Sequence, residues 1–348
     1  MSQSLPDTIP LPVPPARLQK PLDCWGIADG AAGHGSQIRG LCSSLTERFE
    51  TFDCRLRLPW RALPSPLVVR SPLSFQSWGL NRPDLPHVVI SCGRQAATAS
   101  IVLRHFRPVD YAIHLQHPQA SLQHFDLIVV PEHDSVKGNN VISSKGALHP
   151  LSPAILKETA AEGPVAGLEK LGSTFVAVLL GGPNRCFPFN EADVEGLLGR
   201  LKRVRAEGHR LAVLPSRRTP DHAIAAFRQA FGESEFVWDG ISENPYRSAL
   251  ALASHVVVTG DSVSMISEAT ATGRPVYVEF LSARRSPAKF LRFHESFLNH
   301  GLIRPFVGRT EEWSYPPLFE ADRVSQLVRD RIEHRAAVRG MRRSLRAA

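Results

Sequence analysis

Residues 254–258 form an apolar run that ends in Thr259-Gly260-Asp261-Ser262, and a helix-patterned stretch follows. Gly273-Arg274-Pro275 then opens a second apolar run at 276–278. The pattern predicts strand, tight loop, helix, turn and strand. A glycine, small hydroxyl side chains and a fresh helix N-terminus make such a loop suitable for phosphate, because free N–H groups and the helix dipole both favour an anion. Ser264 and Glu268 lie one turn apart on the same helical face, so a carboxylate stands near the anion site. A carboxylate repels phosphate but accepts hydrogen bonds from sugar hydroxyls. Gly260, Asp261, Ser262, Ser264 and Glu268 together suit the diphosphate and ribose of a nucleotide. A plainer reading stands beside this one: small residues at a strand-to-helix turn are common caps, and Asp261 as the N-cap would oppose an anion.

Four other loops carry candidate chemistry. Asp29-Gly30-Ala31-Ala32-Gly33-His34-Gly35 follows the first strand-like run. Gly33 and Gly35 permit close backbone approach to a ligand. His34 is a candidate general base, with Asp29 second, unless the histidine is simply polar surface. Gln37 opens the next helix and can hydrogen-bond a sugar. Gly93-Arg94 repeats the strand-to-helix layout, so Arg94 either points into a cleft or starts a helix as an exposed arginine. Gly181-Gly182-Pro183-Asn184 follows a continuous apolar run and suits a ligand pressed on the backbone. Ser216-Arg217-Arg218-Thr219 offers two guanidinium forks and two hydroxyls, a good diphosphate clamp.

The elements that must position these loops form two βα series. The first has strand-like runs at 22–28, 52–58, 87–92, 111–115 and 125–130, with a helix over 36–49. A helical or linker stretch over 150–171 leads to the second, with runs at 175–180, 210–214, 236–238 and 254–258 and a charged helix over 191–207. Alternating strands and helices imply parallel sheets. The expected architecture is α/β: two Rossmann-like doubly wound domains facing a cleft, at 22–150 and 151–315. A Pro-rich arm (1–21) precedes them and a basic helical segment (316–348) follows. Every singled-out loop lies at the carboxyl end of a strand, where ligands gather in such sheets.

Composition narrows the classes. The chain has 348 residues, 43% hydrophobic and 21% charged, ordinary for a globular protein. No apolar run is long enough to span a bilayer, and the N-terminus does not read as a secretory signal. Five cysteines without close pairs fit a reducing compartment, and Cys24, Cys54 and Cys92 read as core residues. A net charge of +8 favours anionic partners. Nucleic acid is the weakest of these, since no reader motif is present. The arginine-rich end is either a solvated helix or an anionic membrane contact. His114, His117 and His124 match no zinc spacing, and no metal or other cofactor is expected. There is neither a P-loop nor a serine-hydrolase elbow.

Taken together, Asp29–Gln37, Ser91-Cys92-Gly93-Arg94, Leu180-Gly181-Gly182, Ser216–Thr219 and Thr259–Ala269 resemble the bacterial and plant ELM1 family over roughly residues 22–310. That family is in turn similar to GT-B glycosyltransferases. The resemblance implies a nucleotide-diphosphate sugar donor held mainly by the C-terminal domain, and a ribose contact at Glu268. It places the His34 loop on the acceptor side and implies no metal. The expected activity is transfer of a sugar to a cell-envelope acceptor, lipid-linked or free, by a protein in the cytoplasm or peripheral at the inner membrane. The donor, the acceptor and the choice of inverting or retaining chemistry stay open. The alternatives are a nucleotide-sugar epimerase and a non-catalytic scaffold, the latter in line with plant members described as adaptors in mitochondrial fission.

Overall fold

The computed structural model describes residues 22–77, 82–107, 109–172 and 174–347. The Pro-rich arm expected over 1–21 lies outside them. The first half of the chain comprises β1 (Cys24–Ala28), α1 (Ala32–Leu45), β2 (Phe49–Asp53), β3 (Arg55–Leu56), β4 (Phe75–Ser77), β5 (Val88–Cys92), α2 (Arg94–Phe106), β6 (Tyr111–Leu115), β7 (Leu127–Pro131) and β8 (Val141–Ser144). After α3 (Pro153–Glu162) come β9 (Phe175–Leu180), α4 (Glu191–Ala206), β10 (Arg210–Pro215), α5 (Asp221–Phe231), β11 (Phe236–Val237), α6 (Tyr246–Leu252), β12 (His255–Thr259), α7 (Val263–Thr270), β13 (Val276–Glu279), α8 (Ala288–Asn299), β14 (Arg304–Pro305) and α9 (Glu320–Ala347).

Two parallel sheets result, in the orders β2-β1-β5-β6-β7-β8 and β11-β10-β9-β12-β13-β14. The second is the strand order of dinucleotide-binding domains, and the first begins as flavodoxin-like sheets do. The central strands β1, β5, β6, β7, β9 and β12 are buried along their whole length. Continuous apolar runs are what strands covered by helices on both faces require. In each sheet the order reverses between two strands: β1 and β5 in the first, β9 and β12 in the second. Ligands of doubly wound sheets bind at this switch point. The loops at 29–34, 93–94, 181–184 and 259–262 all issue from those four strands.

The two sheets face each other through close contacts. The Ala147 N–H donates to Ser267 Oγ of α7 at 3.0 Å. Gly146 has no room for a side chain there, since a Cβ would lie 2.5 Å from that oxygen. Arg292 of α8 donates to the His133 carbonyl at 3.0 Å.

The arginine-rich end is neither a solvated helix nor a free basic surface over its first half. Ala321, Val324 and Val328 of α9 are buried in the first domain's core with Leu41, Leu45 and Val129. Arg329 donates to the carbonyls of Ser44 and Leu45, and Arg335 pairs with Asp126 at 2.5 Å. The spacing 321, 324, 328, 332 is a helical stripe that the surrounding arginines obscure in the sequence.

Candidate functional site

The first site element is a histidine–carboxylate pair. α1 begins at Ala32, four residues earlier than its glycines suggest, so His34 stands in the first helical turn rather than in a loop. Its Nδ1 lies 2.7 Å from Asp29 Oδ1. An ionised carboxylate can only accept, so the Nδ1–H donates, and in the neutral ring this tautomer leaves the lone pair on Nε2. Burial pushes the Asp29 carboxyl up, but the bond and charge of His34 and the Ala31 N–H outweigh it and hold the group below its ordinary value. Gly93, at the start of α2, closes on the pair. Its φ is +93°, and a Cβ there would stand 2.3 Å from Asp29 Oδ2 and 2.7 Å from His34 Nδ1. Glycine is therefore required twice, for its backbone angle and for the approach of the pair.

Other first-domain candidates divide. Gln37 is buried and lines the cleft. A Cβ on Gly33 would meet Ser264 Oγ of the opposite domain at 3.6 Å, so this turn does face α7. Gly35 faces only Arg39 of its own helix. Arg94 does not offer a guanidinium to the cleft, because it donates to the carbonyls of Leu63 and Arg61 at 2.6 and 2.5 Å.

In the second domain the expected phosphate clamp is largely bound to itself. Asp261, 3% exposed, is its hub. It accepts from the Gly182 N–H at 3.0 Å, from Thr259 Oγ1 at 2.7 Å and from Arg218 at 2.8 Å. Arg218 also donates to the Gly182 carbonyl at 2.8 Å. The Gly181 N–H donates to Thr259 Oγ1, and Asn184 bridges the Asp261 carbonyl and the N–H groups of Cys186 and Phe187. Ser216 and Thr219 hydroxyls both donate to the Gly181 carbonyl. The double glycine has a steric cause too: a Cβ would lie 2.2 Å from Asp261 at Gly181 and 1.9 Å from the Arg218 carbonyl at Gly182. Gly260 turns toward β13, its N–H on the Glu279 carbonyl at 2.8 Å.

These bonds engage polar atoms of Gly181, Gly182, Asn184, Ser216, Arg218, Thr219, Gly260 and Asp261 within the protein itself. They knit three strand ends together and occupy the Gly181 and Gly182 N–H groups and part of the Arg218 guanidinium. The buried Asp261 carboxylate takes the Gly182 N–H and the Arg218 guanidinium, a pairing the sequence cannot show. Nor is Asp261 the N-cap. Ser262 caps α7, accepting from the Met265 N–H at 3.4 Å.

What stays open is the first turn of α7. The N–H groups of Val263 and Ser264 have no intrahelical acceptor, and the Ser264 side chain lines the cleft. Arg217 of the loop after β10 is exposed and makes no ion pair among the described residues. Glu268 accepts from Tyr246 OH and, at 3.4 Å across the domain interface, from Ser36 Oγ. Burial pushes its carboxyl up, against the pull of Tyr246 and Ser36.

The cleft itself encloses about 320 Å³ lined by Gln37, Gln116, His133, Ala147, Ser264 and Lys289. The sequence gives no warning of His133, Asp134 and Lys289, which meet only through the fold. Lys289 Nζ pairs with Asp134 Oδ1 at 2.7 Å. Asp134 Oδ2 and His133 Nδ1 are buried without partners. Burial, with Lys289 and Arg292 adding to it against Asp134, lowers the His133 pKa to about 4, so the ring is neutral. Among the described residues no three His, Cys, Asp or Glu side chains come together as a metal site.

Residues 32–332 match the family model described as Mitochondrial fission ELM1. The chain belongs to that family. It is 29% identical over 277 residues to mitochondrial fission protein ELM1 of Arabidopsis thaliana, covering 71% of this chain and 64% of the plant protein. The match thus spans less than two thirds of the plant relative. An uncharacterised protein, RP120 of Rickettsia prowazekii, is 26% identical over 352 residues, covering 88% of this chain and 98% of the other. Among solved structures, a putative UDP-N-acetylglucosamine 2-epimerase from Listeria monocytogenes aligns with a TM-score of 0.49 and 14% identity over 87% of this chain and 90% of that one. The glycotransferase of kitacinnamycin aligns at 0.47 and 15% over 94% and 96%. Likenesses this distant bear on no residue of the site.

Proposed function

We propose that this ELM1-family protein binds a nucleotide-diphosphate sugar in the cleft and transfers the sugar to a hydroxyl of a cell-envelope acceptor. The observation that carries the reading is the Asp29–His34 pair, placed at the switch point of one sheet and opposite the open N-terminus of α7 at the switch point of the other. Asp29 fixes the ring and its tautomer, and Nε2 takes the proton of the acceptor hydroxyl as that oxygen attacks the anomeric carbon. The bond from that carbon to the diphosphate breaks, and negative charge gathers on the leaving group. The Val263 and Ser264 N–H groups, the Ser264 hydroxyl and Arg217 are the donors left to stabilise it. Glu268 accepts from a ribose hydroxyl in place of Ser36. This chemistry needs no metal. The test is a thermal-shift series with UDP-, GDP-, ADP- and CMP-linked sugars, followed by assay of sugar release in the wild type and in His34→Ala.

One observation favours a second reading, a scaffold without catalysis. Of the donors best suited to a diphosphate, the Gly182 N–H and Arg218 are taken up by Asp261 and the Gly181 N–H by Thr259. A scaffold would show no shift with any nucleotide sugar.

A further inference from the structure

The chain between β2 and β5 stands outside the large sheet. β3 and β4 pair antiparallel through Leu56 and Phe75, and Leu56, Val68 and Phe75 are buried with Trp25 and Val89 beneath α2. From that footing large apolar side chains point to solvent: Leu58 is 67% exposed, Leu67 62%, Val69 49% and Leu73 82%. The backbone gathers Leu58, Val69 and Leu73. The Arg57 N–H donates to the Ser74 carbonyl at 2.8 Å, which sets Leu58 beside Leu73. Ser74 Oγ donates to the Val69 carbonyl at 2.9 Å, which brings Val69 to the same place. The other exposed large apolar residues among those described (Phe106, Ile241, Phe280, Leu291, Val307 and Leu327) are scattered along the chain. A folded protein rarely clusters such side chains in water without a use for them.

Charge identifies the occupant. Between Asp53 and Asp84 the sequence holds no acidic residue and five arginines. Arg55, Arg57, Arg61 and Arg70 are exposed around the apolar tips. Apolar side chains ringed by arginine match a surface with an apolar interior and an anionic face. We infer that residues 57–74 are a docking loop for an anionic lipid bilayer.

The loop is also tied to the site. Arg94 donates to the carbonyls of Arg61 and Leu63, and the Leu56 N–H donates to Gln95 Oε1 at 2.8 Å. Gly93, next in the chain, walls the Asp29–His34 pair. Docking here sets the lipid surface beside the pair, where a lipid-linked acceptor would present its hydroxyl. This last step rests on the function proposed above; the docking itself does not.

The full chain is mixed with phosphatidylcholine vesicles, with and without phosphatidylglycerol, and sedimented at low and high salt. Binding is expected only with phosphatidylglycerol and falls with salt. Arg55→Gln/Arg61→Gln/Arg70→Gln lowers the partition coefficient at least about tenfold at low salt. Leu58→Ser/Leu67→Ser/Leu73→Ser does the same, and if that variant fails to fold the arginine variant decides alone. A truncation after Arg335 binds as the full chain does. Absence of binding, or binding unchanged in the loop variants, overturns the inference. So does a loop variant that turns a dimer into a monomer in sedimentation velocity while vesicle binding persists. Nucleotide shifts in the loop variants match the wild type, so the two proposals fail separately.

Discussion

Arg218 lies across the strand ends with its guanidinium 2.8 Å from the buried carboxylate of Asp261. The side chain of Asp261 is fully buried while that of Arg218 is 42% exposed. The ion pair therefore serves as a latch between the loops after β10 and β12, with Gly182 of the β9 loop held between them. Removing Arg218 would leave a carboxylate buried with two neutral donors. Arg218→Ala is expected to cost about 3 kcal/mol, in the range for breaking a buried pair. Arg217→Ala, on an exposed neighbour, should change stability by less than about 0.5 kcal/mol. Urea unfolding of both variants checks this, and equal effects would remove the distinction drawn between the two arginines.

Gly30 and Gly93 both have positive φ but differ in what surrounds them. Gly30 (φ +83°) has open space where a Cβ would go, while Gly93 has the Asp29–His34 pair. Alanine at either position adds backbone strain of about 1 kcal/mol. Only Gly93→Ala also pushes the pair apart. Gly30→Ala should keep turnover, and Gly93→Ala should lose most of it along with further stability. Turnover retained in Gly93→Ala would show that the pair does not set the reaction.

Glu268 and His34 should separate by kinetics. Glu268→Ala raises the apparent Kd for donor, because the ribose acceptor is gone. His34→Ala leaves donor binding nearly intact and lowers kcat by roughly 10²–10⁴. A His34→Ala enzyme with normal kcat excludes it as the base.

Acid sensitivity follows from buried neutral histidines. Burial lowers the pKa of His114 to about 3, and of His133, His149 and His294 to about 4. Below pH 6.5 the unfolded chain takes up protons at these sites while the folded chain does not. Stability is therefore full above pH 6.5 and falls as pH drops toward 4, by at most about 1.4 kcal/mol per unit for each histidine. Urea midpoints at pH 7.5, 6 and 5 test it, and equal midpoints across that range would contradict it.

The sheets were legible because their strands are apolar runs bounded by glycine and proline; 111–115 is read from sequence as the strand the structure shows. The start of α1 was not. Gly33, Gly35 and Gly40 lower helix propensity, but tertiary contact overrides it: at Gly40 a Cβ would lie 2.6 Å from the His149 backbone, so the glycine lets two elements touch. The site loops could be found, since they follow strands at both switch points. Which of their donors remain free could not, because a sequence lists N–H groups and guanidinium forks without saying that Asp261 will bind them. His133 and Lys289 stand far apart in the chain and carry no motif, so only the fold brings them into one cleft.

We propose above that the cleft between α7 and the Asp29–His34 pair holds a nucleotide-diphosphate sugar. Thermal unfolding of the wild type and of Glu268→Ala against UDP-, GDP-, ADP- and CMP-linked sugars tests it most directly. One nucleotide class is expected to raise the wild-type midpoint, by the equivalent of about 2.7 kcal/mol at a hundred times its Kd. Glu268→Ala should need a higher concentration for the same shift. No shift with any of the four at millimolar concentration, in a protein that unfolds cooperatively, would contradict the claim and leave the scaffold reading in its place.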